Sequence, residues 1–148
     1  MVIIVKGNIL NCTEDIIVHQ VNCQGIMGGG VARQLANHYK KLENIYFEHC
    51  VQCNMNYQTL KGTVFMFASN QGKIIGNMFS QKPNFDTDYH SMKIALQEIK
   101  CWAKNRNLSV CMSYGIGCGI ANGDWNIVFE LIQDVFKDYE VTLYKLEE

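Results

Sequence analysis

The sequence has a single proline, Pro83, in 148 residues, and no stretch that reads as a linker, a repeat or a low-complexity segment. One domain over residues 1–148 is therefore expected, long enough to bury a sizeable core. Neither charge is in excess: 13 Lys and Arg stand against 14 Asp and Glu, for a formal net charge of −1. A general nucleic-acid binder needs a surplus of Lys and Arg on one face, so that class is set aside. An anionic ligand would have to be held mostly by backbone N–H groups. No apolar run is long enough to span a membrane, and the opening MVIIVKG is too short for a signal peptide. No membrane partner and a cytoplasmic location are the expectations.

Metal-ligand spacing is missing too. Seven cysteines is an odd count, and Cys50-Val-Gln-Cys53, beside His49, is the one C-x-x-C, with no second pair to complete a zinc set. Neither a metal nor a cofactor is expected, and free thiols suit a reducing compartment better than a disulfide framework does.

What is present is glycine in two places. Ile16-Ile17-Val18 reads as a buried parallel strand running to His19, followed by Asn22–Gln24 and then Gly28-Gly29-Gly30. A helix follows at once, from about Gly30 to His38, with Val31, Ala32, Leu35 and Ala36 on one face. The pattern repeats later: strand Leu108–Met112 enters Ser113-Tyr114-Gly115-Ile116-Gly117-Cys118-Gly119-Ile120, and Asn122-Gly123-Asp124 opens a second helix. The first N–H groups of a helix have no partner inside it, and glycine lets backbone approach a phosphate closely. Two such loops facing each other can grip both sides of one diphosphate.

Between these landmarks the chain alternates. Strands are expected at Val2–Val5, Gly62–Ala68, Lys73–Phe79 and Val141–Leu146, with Asn70-Gln71-Gly72 turning a hairpin. Helical spacing covers Asn44–Cys53 and runs from Tyr89 to a stop at Asn105–Asn107, with Asp86 or Thr87 as its cap. Met55–Leu60 reads as polar connection. The class is α/β, a sheet between helices, in which loops at the carboxyl ends of strands form the ligand crevice.

Val21-Asn22-Cys23-Gln24-Gly25-Ile26-Met27-Gly28-Gly29-Gly30-Val31-Ala32 resembles the first ligand loop of the macro domain. Gly115-Ile116-Gly117-Cys118-Gly119, with Gly123-Asp124-Trp125, resembles its second loop, and Val5-Lys6-Gly7-Asn8-Ile9 is similar to the end of its first strand. With Gly76–Gln81 and Thr87–Tyr89 the likeness covers nearly the whole chain in order. It is nearest to the compact branch that processes ADP-ribose 1″-phosphate and includes the terminal ADP-ribose protein glycohydrolase.

The resemblance implies one three-layer α/β/α domain with a mixed central sheet, acting as a monomer on ADP-ribose or an ADP-ribosylated molecule. Asn8 and Ile9 would meet the adenine, with Tyr144 or Leu146 near it. Where the family mostly has Asp, Asn8 accepts without the help of charge. Asn22, Ser80 and Gln81 would lie at the distal ribose. Gly28, Gly29, Gly30 and Val31 would hold one side of the pyrophosphate, and Gly115, Ile116, Gly117, Cys118, Gly119 and Ile120 the other.

The chemistry departs from the family pattern. The glycohydrolase branch uses a Lys and an Asp; the matching positions here are Ser80 or Gln81, and Ala121, with Lys82 off register. His19 matches a histidine with a catalytic role in the fungal ADP-ribose 1″-phosphate phosphatase. It could activate a water placed between itself, Asn22 and the diphosphate. Asp124 could assist, or serve as a first-turn charge on its helix. Cys23 and Cys118 are nucleophiles by type, while Gln20, Gln24 and Gln81 can orient a group but not transfer a proton. Two readings stand open: a hydrolase of an ADP-ribose derivative, and a module that binds ADP-ribose or a related nucleotide without turning it over.

Overall fold

A computed structural model describes residues 1–147. Six strands form one sheet: β1 (Val2–Lys6), β2 (Ile16–Val21), β3 (Val64–Ala68), β4 (Ile74–Phe79), β5 (Val110–Ser113) and β6 (Val141–Lys145). Their order is β1-β6-β5-β2-β4-β3. All neighbours run parallel except β3 and β4, the expected hairpin, so the sheet is mixed. β2 is central. Its Ile16, Ile17 and Val18 are completely buried, which is why the run is apolar without alternation.

Five helices cover the two faces: α1 (Gly30–His38), α2 (Leu42–Gln52), α3 (Tyr57–Leu60), α4 (Tyr89–Arg106) and α5 (Trp125–Val135). Ile17 and Val21 of β2 point into one layer with Leu35 of α1 and Leu42, Tyr46 and Cys50 of α2. Ile16 and Val18 point the other way, onto Met92, Leu96 and Ile99 of α4 and Val128 and Ile132 of α5. Burying each such side chain contributes about 1.5–3 kcal/mol. The result is the expected three-layer α/β/α arrangement.

The boundaries differ from the expectations in three instructive places. β2 continues past His19 to Val21, because Gln20 and Val21 still pair with Met78 and Phe79 of β4. The stretch Met55–Leu60 is not only connection: Asn56 caps Thr59 N–H and starts the short α3. α4 is capped by Asp88, whose carboxylate accepts from Ser91 N–H at 3.1 Å, and not by Asp86 or Thr87. Thr87 is engaged instead in an isolated antiparallel bridge to Gln81.

β5 and β2 lie side by side and parallel, yet the chain leaves β2 toward α1 on one face and leaves β5 toward α5 on the other. A crevice must open where neighbouring connections diverge in this way, at the carboxyl ends of the two strands.

Candidate functional site

A cavity of about 400 Å³ occupies that crevice. Gly28, Gly29, Gly30 and Val31 line one side of it, and Gly115, Ile116, Gly117, Gly119 and Ile120 another. The end of β2 contributes His19, Gln20 and Asn22, while Gln81 and Phe85 come from the loop after β4. The two glycine loops approach each other closely: a Cβ on Gly29 would stand 3.1 Å from Ile120 Cδ1.

Backbone conformation explains the glycines where it matters most. Gly115 and Gly117 have φ of +87° and +77°, in the region that favours glycine. Gly117 is also hemmed in, since a Cβ there would meet Met92 Cε at 2.9 Å and Thr87 Oγ1 at 3.1 Å.

Three side chains hold the loops in place. Asn22 folds the first loop around itself: its Nδ2 donates to the Ile26 carbonyl at 2.8 Å, and its Oδ1 accepts from Gln24 N–H at 3.0 Å and from Tyr46 O–H at 2.9 Å. That leaves one Nδ2 hydrogen for a ligand. Gln20 ties β2 to the loop after β4, with Nε2 donating toward the Ser80 carbonyl, Ser80 Oγ and Thr87 Oγ1 at 3.1–3.2 Å. Thr87 O–H in turn donates to the Gly117 carbonyl at 2.6 Å. Gln20 and Thr87 thus connect all three segments that meet at the cavity.

His19 is 2% exposed, against Asn77 of β4. Asn77 Nδ2 donates to the carbonyls of Phe65 and Ile75 at 2.9 and 3.3 Å, which leaves its Oδ1 as the acceptor for His19 Nε2–H at 2.6 Å. His19 Nδ1 then carries a lone pair, buried and without a partner. Burial holds the imidazole neutral, its pKa pushed down to about 4.

Other candidates fall outside the cavity lining. Tyr144 O–H donates to Glu14 Oε1 at 2.6 Å. Asn8 caps the turn Ile9–Asn11 by accepting from Leu10 N–H, and Ile9 is buried beneath it. Ser80 is fully buried under Gln20. Cys118 packs against the core with its thiol toward the Ile116 carbonyl. Burial pushes the thiols of Cys23 and Cys118 up, so neither is an activated nucleophile. Asp124 is the N-cap of α5, accepting from Asn126 N–H at 2.9 Å.

No sequence pattern points to Phe85, to Tyr46, to the role of Asn77 or to the bond from Thr87 to the second loop. Phe85 sits at the tip of the Pro83 loop with φ of +73° and an exposed ring, a conformation no local pattern announces. The others act through partners far away in sequence.

No family model matches the sequence. Among solved structures, the macrodomain of Mycobacterium tuberculosis DarG superposes with a TM-score of 0.85 at 24% identity, over 97% of both chains. The fold is that of a macrodomain. Among curated proteins, an ADP-ribose 1″-phosphate phosphatase from Saccharomyces cerevisiae (strain YJM789) is 46% identical over 54 residues, 35% of this chain and 30% of the yeast protein. The match to the macrodomain chain thus spans less than a third of that relative's length. The ADP-ribose glycohydrolase OARD1 of Bos taurus is 22% identical over 145 residues, 96% of this chain and 90% of the bovine one. Among the described residues of the macrodomain, no helix is long and apolar enough to cross a membrane.

Proposed function

We propose that the cleft binds ADP-ribose and that the chain hydrolyses an ADP-ribose derivative there, either ADP-ribose 1″-phosphate or an ADP-ribosyl conjugate. One observation carries this reading: two glycine loops, the first opening α1 and the second following β5, line one cavity at the divergence of β2 and β5. Backbone N–H groups and helix starts supply positive potential without side-chain charge, as a near-neutral chain requires of a diphosphate site. The yeast and bovine relatives, a phosphatase and a glycohydrolase of ADP-ribose compounds by name, support the ligand.

In this reading Gly28–Val31 and Gly115–Ile120 grip the two sides of the diphosphate, and the spare Nδ2 hydrogen of Asn22 faces the distal ribose. Gln81 orients the ribose or a water. The Nδ1 lone pair of His19 accepts a proton from that water, since an unpaired buried acceptor is where a donor gains most. A base held at about 4 is weak at neutral pH, so turnover is slow.

The same low proton affinity, with Ser80 or Gln81, and Ala121, where the resembling glycohydrolases have Lys and Asp, favours the second reading, a module that binds without cutting. Phosphate release from ADP-ribose 1″-phosphate, and ADP-ribose release from ADP-ribosylated Glu, Ser and nucleic acid, separate the two. Turnover that His19→Ala removes supports the hydrolase. Turnover undiminished in His19→Ala refutes the histidine step, and binding without turnover on every substrate leaves the module.

A further inference from the structure

Outside the cleft, the fold gathers three ligand-bearing side chains that no short motif contains. Cys12 follows the Ile9–Asn11 turn, Glu14 stands two residues on, and Cys111 lies in β5 on the α1/α2 face. Cys111 is fully buried, Cys12 nearly so, and Glu14 half-buried. The two sulfurs and one Glu14 carboxylate oxygen all lie within 4.8 Å of one another. We propose that Cys12, Cys111 and Glu14 bind one zinc ion.

The geometry is close to what the ion needs. Zn–S bonds of about 2.3 Å and Zn–O bonds of about 2.0–2.2 Å in a tetrahedron set the ligand–ligand edges at roughly 3.5–3.8 Å. The triangle must contract by about an ångström at most to reach that size. Two of its corners ride on residues 12–15, which belong to no helix or strand, and the third is Cys111 in β5.

The surroundings already orient the set. Tyr144 O–H donates to Glu14 Oε1 at 2.6 Å and so orients the carboxylate, as supporting hydrogen bonds do for carboxylate ligands. The Lys73 ammonium donates to the main-chain carbonyls of Cys12, at 3.1 Å, and of Glu14. It fixes the path of the segment, offsets part of the charge of two thiolates and a carboxylate, and leaves the ligand atoms free. Thiolates select zinc over magnesium or calcium. Binding sends two thiol protons to solvent and leaves the fourth position to water. A bound ion would pin the Ile9–Asn11 turn to β5. The other cysteine group is different: the His49 ring is stacked on Phe65, centroids 4.2 Å apart, and the Cys50 thiol is pushed up by burial.

The test is a Co²⁺ titration of the reduced, chelator-stripped full chain, read by sulfur-to-cobalt charge-transfer absorption and followed by displacement with Zn²⁺. One equivalent of Co²⁺ is expected, with thiolate bands that one equivalent of Zn²⁺ abolishes. Cys12→Ser and Cys111→Ser should each remove the bands, and Cys12→Ser carries the test if the buried Cys111→Ser fails to fold. Glu14→Gln should weaken binding tenfold or more, while Cys53→Ser leaves it unchanged. The proposal is overturned if the folded, reduced chain gives no thiolate band. Bands that persist in Cys12→Ser overturn it equally.

Discussion

Replacing Gly123 by alanine should damage the cleft from behind, at a residue that does not line it. A Cβ at Gly123 would stand 2.5 Å from the Gly117 carbonyl oxygen, and the Gly123 N–H now donates to that same oxygen at 2.9 Å. Carbon and carbonyl oxygen settle at about 3.3 Å or more even in weak C–H···O contacts, so the carbonyl must retreat by about 0.8 Å. Overpacking of this kind costs about 1–3 kcal/mol, and the lost hydrogen bond adds to it. The total is about 2–4 kcal/mol, and for a chain of this length each kcal/mol lowers Tm by about 2–4 °C, so a fall of about 4–16 °C is expected by scanning calorimetry. The moved peptide belongs to the second glycine loop. Losing one charge-assisted bond to the diphosphate is worth about 1.5–3 kcal/mol, so ADP-ribose affinity should fall about 10–100-fold in titration calorimetry. Gly119→Ala is the control for stability, because a Cβ there meets nothing within 4 Å; its Tm should match the parent's. A Gly123→Ala protein with the parent's Tm and the parent's affinity would refute the reasoning.

Three further outcomes follow from single residues. His19 is held at about 4 by desolvation, below its ordinary 6.5, so between those values the unfolded chain takes up a proton that the fold refuses. Stability therefore falls as pH falls from about 6.5 to 4, by up to about 3 kcal/mol, and denaturant melts of His19→Gln across this range should show a flatter dependence. Gln20→Leu strands Ser80 and Thr87 and loosens the tie to Gly117; a loss of about 1–3 kcal/mol and weaker ADP-ribose binding are expected together. Asn22→Ala removes the centre of the first loop, and about 2 kcal/mol of stability should go with it, checked by denaturant midpoint.

The layers and the crevice were legible because their signals are local. The Ile16-Ile17-Val18 run announces a central strand, and glycine runs ahead of helical spacing announce loops that enter helices. Elements with weak local signals were misjudged. α3 is four residues long, too short to show a period, and α2 starts at Leu42 behind Lys41 in the left-handed region, with no capping side chain to mark it. At the site, side-chain type suggested roles that only tertiary partners decide. His19 lies in the cavity lining, as its place at the end of the strand implies, but its burial and its neutral form are set by the sheet around it and by Asn77, 58 residues away. The Tyr144 hydroxyl is engaged by Glu14, 130 residues away, a pairing that no local pattern announces. The Cys12, Glu14 and Cys111 cluster was hidden for the same reason: spacing rules find ligands on one turn, whereas parallel β topology joins these across most of the chain.

Two glycine loops acting as one diphosphate clamp make ADP-ribose binding depend on the diphosphate. Titration calorimetry of the folded chain with ADP-ribose tests it most directly, with ribose 5-phosphate, which lacks the diphosphate, as the comparison. One ADP-ribose per chain, with ribose 5-phosphate at least tenfold weaker, is the expected result. No heat from ADP-ribose while the protein is folded, or equal affinity for the two compounds, would contradict it.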